Sequence, residues 1–360
     1  MKSSRRKVVL TGGGTVGHVM LNKLLIPEFL NRNAEPVYIG SKNGIEKEMI
    51  SSTSIRYHQI SSGKLRRYIS FENLKDIFKV TKGILDARRV LKKEKPEFVF
   101  SKGGFVSVPV VLAAKSLKIP VYIHESDLTP GLANKISLKF ATKCFVTFEK
   151  TLEYLPADKT ELIGPVVRDE LSGGEGAAGY TITGFTSGKP VLLFMGGSLG
   201  ARSINTFVRD NIGALTEDHQ IIHLCGKGNT DENLDGHENY IQFEFVDEEL
   251  AHLMKISDIV IGRSGSNAIY ELLLNQKPMI LIPLPLSQSR GDQLENARHF
   301  SAQGYAEVIE EEELTLKNFQ EKMEVIIKSH DDIITKMAQY DGGFKPGTLV
   351  ELLLNEEEVQ

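Results

Sequence analysis

The segment Lys7-Val8-Val9-Leu10-Thr11-Gly12-Gly13-Gly14-Thr15-Val16-Gly17-His18 decides how the chain begins to fold. Residues 7–10 form a short, mainly apolar run of strand length, and residues 20–30 have the three- and four-residue spacing of a helix. The glycines between them form a turn whose backbone can approach a ligand closely. A strand, a glycine-rich turn and a helix in this order predict the first unit of a Rossmann-like domain with a parallel sheet.

The same order of elements recurs along the chain. In the first half, strands are predicted at 35–39, 98–100 and 121–123, with helical stretches between them. The glycine-rich segment 173–179 is typical of a flexible linker or loop. After it the pattern restarts with a strand at 190–194, a glycine-rich turn at 195–202, and strands at 221–224, 240–246, 259–261 and 279–282. We therefore predict an α/β protein of two similar parallel-sheet domains, residues 1–165 and 166–345, followed by a helix at 346–360.

Composition excludes several classes of protein. Of the 360 residues, 41% are hydrophobic and 25% are charged, which is ordinary for a globular protein. Cys144 and Cys225 are the only cysteines, so a disulfide scaffold is excluded and a reducing compartment is favoured. The N-terminus lacks the apolar core of a signal peptide, and no uncharged apolar run approaches the roughly 18 residues of a membrane-spanning helix. We expect a cytosolic protein that does not cross a membrane.

Charge is divided unevenly between the two halves. Residues 1–165 carry 28 basic and 15 acidic side chains, whereas residues 166–360 carry 15 basic and 32 acidic ones, which gives net charges of +13 and −17. A basic domain joined to an acidic one indicates that the first domain faces a polyanion. Charge alone leaves nucleic acid and an anionic lipid surface as alternatives.

The first glycine loop matches the dinucleotide-binding pattern G-x-G-x-x-G only in part. The second strand ends at Gly40-Ser41 without the acidic residue that holds an adenosine ribose, which disfavours a nicotinamide enzyme. Two further glycine turns, Lys102-Gly103-Gly104-Phe105 and Gly196-Gly197-Ser198, also follow predicted strands. Three such turns favour a ligand that carries phosphates, while the absence of G-x-x-x-x-G-K-[ST] excludes P-loop chemistry.

Several side chains near these turns could carry chemistry. His18 enters the first helix beside the glycine loop, where an imidazole can act as a general base or make a local hydrogen bond. The pair His124-Glu125 ends the fourth predicted strand and is expected at the same edge of the sheet. Glu271 lies about one turn inside a helix, where its carboxylate can accept from both hydroxyls of a ribose or remain solvated. No His, Cys or carboxylate cluster has metal-site spacing, so we expect helix N-termini and Arg168 to neutralise a diphosphate.

A basic and apolar segment precedes a long predicted helix. It interleaves three cations with apolar side chains, a composition typical of an interfacial membrane contact: Lys64, Leu65, Arg66, Arg67, Tyr68, Ile69 and Phe71. The helix that follows has apolar residues at helical spacing, which predicts a face that is core for most of its length: Leu74, Ile77, Phe78, Ile84 and Leu85. Neither aromatic stacking platforms nor a helix-turn-helix pattern occurs, so we expect no nucleic-acid partner.

Together these motifs resemble the MurG family of cell-wall glycosyltransferases over nearly the whole chain. The resemblance is carried by Gly13 to His18, Lys102 to Ser107, His124-Glu125 with Gly131 to Lys135, Gly164 to Arg168, Gly196 to Arg202, Arg263-Ser264-Gly265 with Glu271, and Asp292-Gln293 with Asn296-Ala297. It implies the GT-B fold, in which two Rossmann-like domains face each other across a cleft and a C-terminal helix packs back on the first. It also implies an inverting transfer of N-acetylglucosamine from UDP-N-acetylglucosamine to an undecaprenyl-diphosphate-linked muramyl-pentapeptide. That step belongs to peptidoglycan synthesis, and so to cell shape and division, at the cytoplasmic face of the cell membrane.

The resemblance further implies roles for individual residues. His18 is the implied general base for the acceptor hydroxyl. The implied donor contacts are Arg168, Ser198 at the diphosphate, the backbone of Val246 at uracil, Ser266 at a helix N-terminus facing the phosphates, Glu271 at the ribose and Gln293 at the sugar hydroxyls. Thr15, Val16, Gly17 and Asn134 are implied to line the acceptor or sugar side. No cofactor or metal held by protein ligands is implied, because one direct displacement needs only one base.

Two positions depart from the family pattern, and other functions stay open. Val16 stands where many members have glycine, and Asp127 replaces an asparagine. Another enzyme using a UDP-sugar is the first alternative, either a lipid glucosyltransferase or a UDP-N-acetylglucosamine 2-epimerase; the epimerase would act on the donor without an acceptor. A sugar-nucleotide sensor or scaffold at the membrane surface is the non-enzymatic alternative.

Overall fold

Two parallel β-sheets organise the chain. The computed structural model describes residues 5–63, 71–197 and 199–356, with the backbone alone described for residues 71–77 and Asp169. The chain divides into two units between Val167 and Arg168 and again between Gly342 and Gly343, so its last segment belongs to the first unit. These divisions differ by two or three residues from the predicted boundaries at 165 and 345.

The sheet of the first unit has seven parallel strands in the order β3-β2-β1-β4-β5-β6-β7. The strands are β1 (Arg6–Thr11), β2 (Ala34–Ser41), β3 (Arg56–Ile60), β4 (Phe98–Ser101), β5 (Val121–Glu125), β6 (Lys143–Val146) and β7 (Thr160–Leu162). The strand order reverses between β1 and β4, which is where open α/β sheets bind ligands beyond the strand carboxyl ends. The first and second glycine turns follow these two strands.

The sheet of the second unit has six parallel strands in the order β10-β9-β8-β11-β12-β13. The strands are β8 (Val191–Met195), β9 (Gln220–Leu224), β10 (Tyr240–Phe243), β11 (Ile259–Gly262), β12 (Met279–Leu281) and β13 (Ala306–Val308). The order reverses between β8 and β11, and the third glycine turn follows β8. Two parallel-sheet units confirm the predicted α/β class.

Helices cover the faces of both sheets, with short 3₁₀ segments at 149–154, 169–173, 232–234 and 311–313. The first unit contains α1 (Gly17–Asn31), α2 (Ile45–Ser51), α3 (Phe71–Glu94), α4 (Ser107–Ser116) and α5 (Leu132–Leu138). The second contains α6 (Gly176–Thr183), α7 (Arg202–Asp210), α8 (Ile212–Asp218), α9 (Glu249–Ile256), α10 (Ser266–Leu274), α11 (Asp292–Ala302), α12 (Leu316–Lys328) and α13 (His330–Ala338). The last helix, α14 (Pro346–Asn355), packs against α1 in the first unit. Arg32 on α1 and Glu351 on α14 form an ion pair of 2.7 Å across this contact.

The core of the first unit lies on both faces of its sheet, because successive strand residues point to opposite faces. Val8 and Leu10 pack with α1 and α14 in one apolar cluster, whereas Val9 and Val99 belong to a second cluster with residues of α3 and α4. Burial on both faces explains why the central strands are almost uniformly apolar.

Some local expectations were wrong. The segment 173–179, predicted as a flexible loop, ends a 3₁₀ turn and forms the start of α6, which packs on α9. A Cβ on Gly179 would lie 2.5 Å from the carbonyl oxygen of His252, so this glycine permits close packing. On the α3 face predicted as core, Ile84 packs against the core, but Phe78 and Leu85 are 70% and 51% exposed. The side chains of Leu74 and Ile77 lie outside the described residues. Across the described ranges, no helix combines the length and apolar character that crossing a membrane requires.

Candidate active site

The first glycine loop presents His18 at the carboxyl end of β1. Gly14 has φ +90°, a left-handed conformation that favours glycine, and α1 then begins at Gly17. Thr15 Oγ1 lies 2.9 Å from His18 Nδ1, and the amide of His18 donates to the carbonyl of Thr15 at 3.2 Å. Thr15 is exposed and His18 is half-buried. Thr15, Val16, Gly17 and His18 therefore form one accessible group at the point where the strand order reverses.

The second glycine loop lies directly against the first. Gly103 and Gly104 have φ values of +95° and +80°. A Cβ on Gly104 would overlap the carbonyl oxygen of Gly13 and would lie 3.2 Å from His18 Nδ1. Only a residue without a side chain fits between the loops, so this motif is needed to place the backbone beside His18.

The pair His124-Glu125 ends β5 at the carboxyl edge of the sheet, as predicted, but it is buried there. His124 and Glu125 are 2% and 4% exposed, because the segment after β5 folds over them. Glu125 accepts hydrogen bonds from the amides of Asp127 and Gly131 at 3.0 and 2.8 Å, and from Asn134 Nδ2 at 3.0 Å. Asn134 is itself 6% exposed, so in this structure it braces the loop that follows β5.

A buried lysine adds positive charge beneath the second loop. Lys102 is 1% exposed, and its Nζ donates to Ser126 Oγ at 2.7 Å. Burial lowers the pKa of the Lys102 ammonium, while the carboxylates of Glu125 and Asp127 act in the opposite direction. Burial, and secondarily the charge of Lys102, lowers the pKa of His124 well below its ordinary value. His124 is therefore neutral, and it is also buried. His18, which is half-buried, is the more accessible imidazole of the two.

In the second unit, Arg168 and Glu271 form a bidentate ion pair. Arg168 Nε and Nη2 donate to Glu271 Oε1 and Oε2 at 2.8 and 3.0 Å. The side chains are 19% and 11% exposed, so the pair is partly accessible. Burial lowers the pKa of Arg168, but the hydrogen bonds and charge of Glu271 outweigh it and the net shift is upward. The sequence suggested a ligand role for each residue but gave no indication that they pair.

Hydrogen bonds join the helix start at Ser266 to Gln293. Ser264 Oγ donates to the carbonyl of Gln293 at 2.9 Å, and Gln293 Oε1 accepts from the amide of Leu284 at 3.1 Å. Ser266 is the first residue of α10 and is 4% exposed. Val246 lies after the end of β10 and not within it, in an irregular segment before α9. The loops after β10, β11 and β12 thus hold predicted ligand residues at one edge of this sheet.

The structure describes the third glycine loop except for one residue, which the sequence analysis assigned to the diphosphate. Ser198 lies outside the described residues, as do Lys64, Leu65, Arg66, Arg67, Tyr68 and Ile69 and the side chain of Phe71. Beside this loop is a cavity of about 430 Å³ lined by two arginines and mainly polar neighbours: Leu199, Gly200, Arg202, Asn205, Thr206, Arg209 and Asn229. Within the described part of the chain, no three His, Cys, Asp or Glu side chains are grouped so that they could hold a metal ion.

The contacts of two charged residues near the site could not be predicted from the sequence. Glu46 is fully buried beneath the first glycine loop. It lies five residues beyond the end of β2, where dinucleotide-binding enzymes have an acid. Arg263 forms an ion pair with Glu311 and donates to the carbonyls of Ile282 and Pro283 at 3.1 and 3.2 Å. Both tie together segments that are far apart in sequence, so local patterns do not reveal them.

Comparisons with known proteins agree with this arrangement. Residues 8–146 match the glycosyltransferase family 28 N-terminal domain, and residues 191–347 match the C-terminal domain of the same family. A relative from Staphylococcus saprophyticus is 56% identical over 352 residues, covering 97% of this chain and 98% of the relative. Its name is UDP-N-acetylglucosamine–N-acetylmuramyl-(pentapeptide) pyrophosphoryl-undecaprenol N-acetylglucosamine transferase.

Two solved structures are similar in fold. The crystal structure of Acinetobacter baumannii MurG has a TM-score of 0.78 at 22% identity and covers 97% of this chain and 99% of its own. A UDP-GlcNAc 2-epimerase from Neisseria meningitidis has a TM-score of 0.64 at 17% identity, covering 98% of this chain and 99% of its own. The fold is therefore shared with an epimerase, whereas the high sequence identity is to a transferase. The chain belongs to glycosyltransferase family 28 and, within it, to the MurG family.

Proposed function

We propose that this enzyme transfers N-acetylglucosamine from UDP-N-acetylglucosamine to an undecaprenyl-diphosphate-linked N-acetylmuramyl-pentapeptide, with inversion at the anomeric carbon. The observation that carries the proposal is 56% identity, over nearly the full length of both chains, to a relative named for that reaction. The arrangement of accessible polar groups beyond the strand ends of both sheets supports it.

The Arg168–Glu271 pair suits one end of the donor. A carboxylate offers about four lone-pair positions, and Arg168 uses one on each oxygen of Glu271. The remaining positions can accept from the two hydroxyls of a ribose without breaking the pair. Because Arg168 already orients the carboxylate, less ordering is required when the donor binds.

The other donor contacts are assigned by their place at the sheet edge. The amides at the start of α10, where Ser266 lies, suit a diphosphate, because the N-terminus of a helix carries partial positive charge. The irregular backbone at Val246 suits an amide-and-carbonyl contact to a uracil edge, and Gln293 suits sugar hydroxyls. Ser198 is assigned to the diphosphate by its position in the third glycine loop. No cofactor is assigned, since the N-terminus of α10 supplies partial positive charge for a departing UDP, whereas the charge of Arg168 is already paired with Glu271.

His18 is assigned as the general base. In the tautomer in which Nδ1–H donates to Thr15 Oγ1, Nε2 is the basic atom. The acceptor hydroxyl oxygen forms a bond to the anomeric carbon while the bond from that carbon to the diphosphate oxygen breaks. The hydroxyl proton passes to His18, and UDP leaves with the electron pair. Thr15, Val16 and Gly17 are assigned to the acceptor or sugar side by their position in this loop, and Asn134, which donates to Glu125 and lies by the second glycine loop, is assigned there from the family resemblance alone.

A basic and apolar face of α3 supports contact with an anionic membrane, where a polyprenyl acceptor resides. Phe78 and Leu85 are 70% and 51% exposed. Exposed cations lie on the same helix: Lys79, Lys82, Arg89, Lys92 and Lys93. Each basic residue near such a surface contributes about 1 kcal/mol. The predicted contact at 64–69 and Phe71 directly precedes this face in the chain and is retained in the proposal.

Membrane contact is tested by sedimentation with liposomes that contain anionic or only zwitterionic lipids. Leu85→Glu with Lys82→Glu should lower the fraction bound to anionic liposomes at least threefold, because both apolar contact and charge attraction are lost. Ile327→Glu, on an exposed α12 position of the second unit, is the matched control and should bind like the wild type. Unchanged binding of the double variant would show that α3 is not the contact.

The reaction is tested by following labelled N-acetylglucosamine into a short-chain analogue of the acceptor while UDP release is measured. We expect one UDP per sugar transferred and no turnover of the donor when the acceptor is omitted. Turnover of the donor alone would indicate the epimerase alternative. Donor binding without transfer would indicate a sensor or scaffold.

A further inference from the structure

Glu46 is a fully buried carboxylate beneath the first glycine loop. It is the second residue of α2 and is 0% exposed. The amide of Ser41 donates to Glu46 Oε1 at 2.9 Å, and the hydroxyl of Ser41 donates to the same oxygen. The amide of Gly14 donates to Oε2 at 3.3 Å. A carboxylate is rarely buried unless its oxygens are satisfied, and here three donors from two separate segments satisfy them.

Glycines enclose this carboxylate on several sides. A Cβ on Gly13 would lie 2.6 Å from Glu46 Cδ, and a Cβ on Gly44 would overlap both carboxylate oxygens. A Cβ on Gly40 would lie 3.0 Å from Glu46 Cγ. Gly40 near the end of β2, Gly44 before α2 and Gly13 in the first glycine loop therefore leave the room that the Glu46 side chain occupies. Such a cage fixes the position of the loop relative to the sheet.

The loop held by Glu46 carries His18. Gly14, which bonds to Glu46, precedes Thr15, and Thr15 contacts His18 Nδ1. The second glycine loop packs on Gly13 from another direction. We propose that Glu46 is a positioning residue for the transfer reaction: by holding the amide of Gly14, it keeps Thr15 and His18 in the geometry that the acceptor requires. This inference rests on the proposed function.

The same contact removes the nearby acid from the role that an acid has in dinucleotide-binding glycine loops. In such enzymes an acid near the end of the second strand binds the adenosine ribose. Here the acid next to that strand end is inside the protein, with both oxygens already hydrogen-bonded to the chain. One loop amide is thereby used internally and is not offered to a phosphate.

The test replaces Glu46 by glutamine in the full-length enzyme. The amide keeps one acceptor oxygen for Ser41 but turns an NH₂ group toward the amide of Gly14, so donor faces donor and the loop is released. We expect kcat to fall about tenfold, because small displacements of a catalytic group are costly, while the KM for UDP-N-acetylglucosamine stays within twofold. Glu48→Gln, on the exposed side of α2, is the control and should leave both constants unchanged.

Ser41→Ala separates positioning from stability. It removes the hydroxyl donor to Glu46 but leaves the Gly14 contact, so we expect a lower unfolding midpoint with kcat within twofold of the wild type. All rates are measured at least 10 °C below the unfolding midpoint of each variant. A kcat for Glu46→Gln within twofold of the wild type would overturn the positioning role. A loss of kcat in Ser41→Ala equal to that in Glu46→Gln would also overturn it, since general destabilisation would then explain both. Absence of transfer by the wild type in the same assay would refute the proposed function instead.

Discussion

Glu46 and Glu271 occupy comparable places in the two units but have opposite surroundings. Each lies on the helix that follows a strand, near the carboxyl edge of a parallel sheet. Glu46 is completely buried and accepts from Ser41 and Gly14 of its own unit. Glu271 is largely buried, with 11% of its side chain exposed, and its side-chain partner among the described residues is Arg168, which leaves lone pairs on both oxygens.

The difference shows how one residue type serves two purposes on related folds. A buried carboxylate whose oxygens accept hydrogen bonds from the surrounding chain stabilises a loop. No ligand can reach it, because it is fully buried. A carboxylate held by one arginine, with a small part of its side chain exposed, is oriented but still able to accept. The number of donors already bound and the exposed fraction separate the two cases, whereas the residue type does not.

Replacing His18 should have the largest effect. It tests whether the residue that Glu46 is proposed to position acts as the base. His18→Ala should lower kcat at least 100-fold, because general-base catalysis contributes about 10²–10⁴. Donor binding should be unchanged, since the donor contacts are assigned to the second unit. His237→Ala, at a half-buried position of the second unit, is the control. If steady-state kinetics gave a kcat within threefold of the wild type, His18 would not be the base.

Replacing Glu271 tests the other carboxylate of the comparison, which is assigned to the ribose of the donor. Glu271→Gln should raise the donor KM about tenfold, because charged hydrogen bonds to ribose hydroxyls are lost and Arg168 loses its partner. Glu321→Gln, on the exposed side of α12, is the matched control and should leave the donor KM unchanged. An unaltered donor KM in Glu271→Gln would mean that the Arg168–Glu271 pair only stabilises the fold.

Glu94, a further buried glutamate, gives a smaller effect that depends on pH. Burial acts to raise the pKa of Glu94, but hydrogen bonds from Lys7 and His58 and the charge of Arg56 outweigh it, so the pKa is lowered. A lowered pKa means that the stabilisation is present above the ordinary glutamate pKa of about 4.3 and is lost as the pH falls through the lower folded value. Glu94→Gln should lower the unfolding midpoint by about 3–6 °C at pH 7 and reduce the loss of stability between pH 5 and pH 3.

Glu97→Gln is the matched control for that measurement. Glu97 forms a surface pair with Arg6 at 2.6 Å, with both side chains about one-third exposed. Surface pairs contribute about 0–1 kcal/mol, so the midpoint should move by less than about 2 °C. An equal shift in the two variants would show that the burial of Glu94 makes no difference.

Much of the fold could be predicted because its signals are local. The apolar runs that became β1, β4, β5, β8 and β11 are buried on both faces, so their sequences are almost uniformly apolar. The strands that were missed are β3, β6, β7 and β13. Three of the four, β3, β7 and β13, are edge strands, and β3 carries polar residues, so packing with neighbours and not composition defines them.

The site was predictable where a residue lies within a motif and not where two distant residues meet. His18 and its glycine loop are contiguous, so the sequence located them correctly. The pairing of Arg168 with Glu271 spans 103 positions, and the contact of Glu46 with Gly14 spans 32. The alternative that Glu271 remains solvated was wrong, and the burial of Glu46 by the first loop was not predicted, for this reason.

The division of labour between Glu46 and Glu271 is tested most directly by calorimetric titration of UDP-N-acetylglucosamine into the wild type, Glu46→Gln and Glu271→Gln. We expect Glu46→Gln to bind the donor within twofold of the wild type and Glu271→Gln to bind it about tenfold more weakly. Equal weakening in both variants, or no binding of this donor by the wild type, would contradict this division of labour.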